Sequence, residues 1–236
     1  MKILIITPTQ KEFDFFLRGC DTLGFKAQNS AVGRLPVAQF PDFGSTLACG
    51  GAGKAQFAIQ TQHLLDNCPD WDLVMCAGAA GGLVDELTIG DVVVATTTVE
   101  HDYQNKFSKR HVPKFEGALT VIAALRRVEL PSTFKVLFGV VASGDEDIID
   151  VERRRTLQQS TGALVVAWEG AGGARACAFS NVLFVEIRGV TDTANQNAPS
   201  DYERNVEVAM NNVATLLTTW LSQSAVTTKL WNHPAG

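Results

Sequence analysis

The sequence predicts one α/β domain of three layers, a mixed, mostly parallel central β-sheet flanked by helices. Three observations carry this. Apolar runs of strand length recur along the 236 residues, and they are continuous rather than alternating, as in strands covered on both faces. Stretches with helical periodicity lie between several of them. No repeat, low-complexity tract or linker interrupts the body, so one domain is expected over residues 1–222. A loose tail, 223–236, follows and contains "AVTTKLWNHPAG".

The elements follow in order. "ILIIT" (3–7) reads as the first core strand rather than a signal peptide, because "QKEFDFF" turns polar at once and no small-residue cleavage site follows. "VAQF" and "STLACG" around "PDFG" read as a β-hairpin or meander between 30 and 50. "KAQFAIQTQHLLD" (54–66) reads as a helix with Phe57, Ile59, His63 and Leu64 near one side. "DLVMCAG" (72–78), "DVVVATT" (91–97), "KVLFGVVAS" (135–143), "ALVVAW" (163–168) and "VLFVEIRGV" (182–190) read as buried strands. The last helix lies in "SDYERNVEVAMNNVATLLTTWL", where Ser200 and Glu203 match a capping box and Val206, Met210, Val213 and Leu217 keep a helical period.

Composition narrows the function classes. An apolar share of 46% supplies a core, and a net charge of −5 argues against nucleic acid or an anionic membrane as partner. No apolar run approaches the length of a membrane span. Five scattered cysteines without C-x-x-C suggest neither a disulfide framework nor a zinc site, and point to a reducing, cytoplasmic compartment. The four histidines show no ligand spacing, so no metal and no organic cofactor is expected.

In open α/β sheets ligands bind beyond the carboxyl ends of strands, and three carboxylates stand there. Glu12 follows the first strand, Glu169 ends "VVAWEG", and Asp192 ends "RGVTD". Glycine turns "GGAGK" (50–54) and "AGAAGG" (77–82) add backbone N–H groups that a ligand can approach closely. Each feature also has a purely structural reading. Glu12 would favour a helix N-terminus, Asp192 would cap its turn, and Glu169 would pair with Arg175. "GGAGK" is not a Walker A motif.

Taken in order, these segments resemble the purine-nucleoside and uridine phosphorylase superfamily, and most of all its hydrolytic branch, the 5′-methylthioadenosine/S-adenosylhomocysteine nucleosidases. "MKILIITPTQKEFDFF", "GGAGKAQFA", "AGAAGGL", "IGDVVVATTTVEHD", "GVVASGDEDII", "VVAWEGAG" and "RGVTDTANQ" carry the resemblance over roughly residues 1 to 221. It implies a nucleoside phosphorylase-like fold, a homodimer, a place in methionine salvage, and cleavage of an N-glycosidic bond. Asp192 would protonate the departing purine, Glu12 would activate water, and Arg188 would position that water or Glu12. Glu169, beside Trp168, would hold the ribose hydroxyls. Ile148, Asp147, Thr191 and Gly81 would face the base. The loop 101–115, with Tyr103, Phe107 and Pro113, would cross a dimer interface and touch the 5′ substituent.

Phosphorolysis needs cations around phosphate, and neither "TPTQKEF" nor "AGAAGG" holds an arginine, so hydrolysis is expected. The chain departs from the family pattern at Ala79 (for Ser), Trp168 (for Met), Ala167 (for Glu) and Asp147 (for an aromatic residue). The basic run Lys106, Lys109, Arg110 and His111 reads as a solvated loop or as a site for a carboxylate on the 5′ substituent, as in S-adenosylhomocysteine or futalosine, and a futalosine hydrolase is an alternative. A phosphate-dependent phosphorylase and a non-catalytic nucleoside-binding protein are the remaining alternatives.

Overall fold

The computed structural model describes residues 1–107 and 111–231, with side chains through Gln223. Lys109 and Arg110 of the basic run, and residues 232–236 of the expected tail, lie outside the described residues. Strand β1 (Ile3–Thr7) and helix α1 (Gln10–Thr22) open the chain, β3 (Leu35–Phe40) and β4 (Ser45–Cys49) form the expected hairpin, and β2 (Gln28–Val32) adds a strand before it. Helix α2 (Lys54–Asn67) leads to β5 (Leu73–Gly82), β6 (Val92–Glu100), β7 (Lys114–Glu116) and α3 (Leu119–Leu125). Then come β8 (Val136–Ser143), α4 (Val151–Thr161), β9 (Ala163–Ala167), α5 (Gly170–Ser180), β10 (Leu183–Asp192) and α6 (Ala198–Trp231).

The strands pair in the order β10-β6-β8-β9-β5-β1-β4-β3-β2, and β10 pairs also with β5. That extra pairing closes β5, β10, β6, β8 and β9 into a barrel, from which β1, β4, β3 and β2 extend as an open sheet. The expectation of a mostly parallel sheet is corrected here. β1–β4, β1–β5, β10–β5, β6–β8 and β8–β9 run parallel. β10–β6, β2–β3, β3–β4, β5–β9 and β6–β7 run antiparallel. Continuous apolar runs report burial on both faces, and a closed barrel buries both faces whatever the strand direction.

Alternation within β1 shows how the layers assemble. Ile3 and Ile5 join Phe16 of α1 and Val206, Met210, Val213 and Leu217 of α6 on one side. Leu4 and Ile6 join Phe57 and Leu64 of α2 and Ala174 and Cys177 of α5 on the other. The barrel interior is filled by Val93, Ala95, Val141, Val165 and Val190. In α2 the buried stripe is Phe57, Thr61, Leu64 and Leu65. Ile59 is exposed instead, because two residues on from Phe57 lies on the far side of a helix with 3.6 residues per turn.

The capping box expected at Ser200 is absent. Asn197 N–H donates to Asn195 Oδ1 at 2.8 Å and starts the turn two residues earlier. Ser200 Oγ donates to the Asn197 carbonyl at 2.9 Å, and Glu203 is engaged by Lys11. None of the described helices is long and apolar enough to cross a membrane.

Candidate active site

A cavity of about 540 Å³ opens at the carboxyl ends of β1, β5, β9 and β10 and the start of α6. Glu12, Glu169, Trp168, Ile148, Asp147, Thr191, Gly81 and Asp192 all line it. Arg188 does not, and neither do Tyr103, Phe107 or Pro113 of the same chain.

Glu12 is set by the start of α1. Thr9 is the N-cap, its hydroxyl accepting from Glu12 N–H at 3.2 Å. Glu12 Oε2 in return accepts from Thr9 N–H at 2.9 Å and from Thr9 Oγ at 2.6 Å, a complete capping box. Glu12 Oε1 accepts from Ala79 N–H at 2.7 Å. The structural reading of Glu12 is therefore correct, and it is also what fixes the carboxylate at the cavity. Burial raises its pKa from the ordinary carboxylate range, opposed by the Ala79 and Thr9 donors.

Glu169 occupies the N-cap position of α5 without capping it by its side chain. Its Oε1 accepts from Gly53 N–H at 3.1 Å, and its Oε2 from Arg188 Nη2 at 3.2 Å. Burial pushes its pKa up to about 7 despite Arg188. Arg175 pairs with Glu100 rather than with Glu169. Both glycine turns thus aim an N–H at a carboxylate of the protein: Gly53 at Glu169, and Ala79 at Glu12. Gly53 has φ +81°, a conformation that glycine adopts without a Cβ penalty.

Asp192 is aimed by an irregularity in β10. The β10–β5 register runs from Leu183↔Leu73 to Val190↔Ala80 and then jumps to Asp192↔Gly81, leaving Thr191 as the extra residue. Such a bulge re-aims a side chain at a strand end. Asp192 Oδ1 accepts from Ala194 N–H at 2.9 Å, and Thr191 Oγ donates to Oδ2 at 2.8 Å. Ala194 sits at φ +47°, a strained backbone for a residue with a side chain. Burial raises the Asp192 pKa, with the Ala194 and Thr191 donors opposing.

Arg188 is fully buried under this floor. Nε donates to Glu186 Oε1 at 2.7 Å, Nη1 to the Ala79 carbonyl at 3.3 Å, and Nη2 to Cys76 Sγ at 3.4 Å as well as to Glu169. Of the cavity carboxylates, Arg188 hydrogen-bonds Glu169. Gly78, opposite Arg188 in the register, leaves the space between them open.

Trp168 lines the wall and donates from its indole N–H to the Glu146 carbonyl at 3.2 Å. Asp147 is exposed in the same wall, whereas Asp145 is structural, accepting from Lys54 N–H at 2.8 Å. Sequence reasoning missed Thr9, Pro199 and Tyr202, which also line the cavity. Tyr202 lies in the first turns of α6, and burial pushes its phenol up to about 12, so it stays protonated. An aromatic residue one position from a charged face carries no signal of this role. Glu186, an acid inside the apolar run "VLFVEIRGV", was the readable signal for the buried partner of Arg188.

The family model of the Phosphorylase superfamily matches residues 2–222. The chain is 31% identical over 189 residues to the 5′-methylthioadenosine/S-adenosylhomocysteine nucleosidase of Pseudoalteromonas translucida, covering 75% of this chain and 79% of that one. In fold it is similar to the nucleosidase of that name from Neisseria meningitidis, in complex with methylthio-immucillin-A, at a TM-score of 0.81 and 24% identity over 94% and 99% of the two chains. It is equally similar to the futalosine hydrolase of Helicobacter pylori, at a TM-score of 0.83 and 23% identity over 94% and 98%. The chain belongs to the Phosphorylase superfamily and, within it, to the 5′-methylthioadenosine/S-adenosylhomocysteine nucleosidases.

Proposed function

We propose that this protein hydrolyses the N-glycosidic bond of a purine nucleoside modified at the 5′ position, of the methylthioadenosine and S-adenosylhomocysteine type. One observation carries the choice of water over phosphate. The cavity is lined by Glu12, Glu146, Asp147, Glu169, Asp192 and Glu203, and among the described residues no Lys, Arg or His lines it. A phosphate dianion would meet only negative charge there. The nearby cations are engaged elsewhere. Lys54 pairs with Glu100 and Asp102 at 3.0 and 2.5 Å, and Lys11 with Glu203.

The bond breaks through a sugar cation, and the purine leaves readily only when protonated. Asp192, made more basic by burial, holds a proton for the base nitrogen. Glu12, anchored on both oxygens, accepts a proton from the attacking water. Glu169 binds ribose hydroxyls and stabilises the positive sugar. The base lies between Trp168, Ile148 and Asp147, near Thr191 and Gly81. The same acidic lining disfavours a 5′ substituent of net negative charge, so methylthioadenosine is expected to exceed futalosine. We also propose a homodimer. Phe107 and Tyr103 are exposed on the loop between β6 and β7, where a second copy would cover them and complete the 5′ end of the site.

The test is base release, with and without phosphate, from methylthioadenosine, S-adenosylhomocysteine, futalosine, adenosine and inosine. Release from methylthioadenosine that phosphate leaves unchanged is expected. Formation of a ribose 1-phosphate, or binding without release, would overturn the hydrolase reading.

A further inference from the structure

Behind the cavity floor lies a charged group that the reaction above does not use. Glu186 is completely buried in the middle of β10, between the apolar Val185 and Ile187. Its Oε1 accepts from Arg188 Nε at 2.7 Å and its Oε2 from Thr98 Oγ of β6 at 2.5 Å. Space for it is made by Gly170 at the start of α5, where a Cβ would come within 2.0 Å of Glu186 Oε2. A buried carboxylate with no counter-charge is costly, and a buried arginine is as well. Glu186 and Arg188 neutralise each other within one strand, two residues apart.

The geometry divides the guanidinium into two edges. Nε faces Glu186, and Nη2 faces Glu169 at 3.2 Å. Planarity fixes one edge once the other is held. We propose that Glu186 is a positioning residue for the ribose carboxylate: it anchors Arg188 from the buried side, so that Nη2 is held against Glu169. It also occupies part of the Arg188 charge, which Glu169 and Glu12 would otherwise receive in full. Cys76 and the Ala79 carbonyl are the remaining contacts of the guanidinium, and neither supplies a fixed negative charge. This role rests on the nucleosidase reading for its consequence, and on the structure alone for its mechanism.

The test separates the two. Glu186→Gln keeps the shape and one acceptor oxygen but removes the charge. With carboxyl-labelled glutamate, the Glu169 resonance followed by NMR against pH is expected to titrate about one unit lower than in the unchanged protein. The acidic limb of the pH profile of kcat/KM for methylthioadenosine should move the same way. An unmoved Glu169 midpoint in a folded Glu186→Gln protein overturns the proposal, whether or not the protein turns over any nucleoside. Failure of base release by the unchanged protein overturns the function and leaves the titration to decide Glu186. Should Glu186→Gln not fold, Thr98→Val keeps every charge but frees Glu186 Oε2. It is expected to raise KM several-fold at nearly constant kcat, with a displaced Glu169 midpoint. A Thr98→Val protein with neither change would overturn the proposal.

Discussion

At Asp192, burial and hydrogen bonding pull the carboxyl in opposite directions, and burial wins. The bond from Ala194 N–H that closes its turn survives in Asp192→Asn, since an amide oxygen accepts equally well. That variant is therefore expected to fold with nearly unchanged stability and to bind nucleoside, while kcat falls at least about 100-fold, the usual weight of a general acid. Turnover within tenfold of the unchanged protein would remove Asp192 from the chemistry. Glu12 differs, because both its oxygens accept from backbone N–H groups. A Glu12→Gln side chain must turn its NH₂ toward one of those donors. Loss of activity should then come with about 1–3 kcal/mol of lost stability, the cost of leaving a buried donor unsatisfied. Denaturant unfolding beside steady-state kinetics distinguishes the two residues. A Glu12→Gln protein as stable as the original would mean that the capping box is not what holds the carboxylate.

Strands β5 and β10 bring these residues together, and the glycines of β5 make room where β10 side chains cross. A Cβ on Gly78 would stand 2.6 Å from Arg188 Nη1, 2.8 Å from Pro8 Cδ and 3.0 Å from Glu12 Oε1. Gly78→Ala should therefore displace the Arg188 guanidinium and the Glu12 carboxylate together, costing about 1–3 kcal/mol as overpacking does, with a large fall in kcat/KM. On Gly81 the nearest atom would be Asp192 Oδ1 at 2.8 Å, the end of one side chain. Gly81→Ala is expected to lower the rate with a smaller loss of stability; equal stability losses at the two positions would refute this division. The sequence made much of this readable. Continuous apolar runs located the barrel strands and β1, and the polar strand ends located Glu12, Glu169 and Asp192. Barrel closure was not readable, since the β10–β5 pairing joins residues more than 100 apart and leaves no local pattern. The short, largely exposed β2 and β7 were missed for lack of apolar residues. Tyr202 was missed because helical periodicity describes the core face of α6 and says nothing of the turn that meets the cavity.

Over the whole molecule, the carboxylates gathered under one cavity must leave a signature in stability against pH. Glu169 ionises near its ordinary value of 4.5 in the unfolded chain and at about 7 when folded. Between those values the unfolded chain has released a proton that the folded protein still holds, so each step up in pH favours unfolding. Stability from this group is complete below about 4.5 and is lost as pH rises to about 7. Glu12 and Asp192, also raised by burial, act with the same sign. His101 acts with the opposite sign, because burial lowers its pKa and acid must force a charge onto it. Comparison with Glu169→Gln isolates one contribution, since the other groups are present in both proteins. Urea unfolding at pH 4.5, 5.5, 6.5 and 7.5 should show the unchanged protein losing stability relative to the variant, by up to about 3 kcal/mol across the window. The difference should level off above pH 7.5. Parallel curves would mean that Glu169 is already ionised in the folded protein, with Arg188 compensating its burial in full. Glu169 would then carry its negative charge throughout this range, rather than holding its proton up to about pH 7.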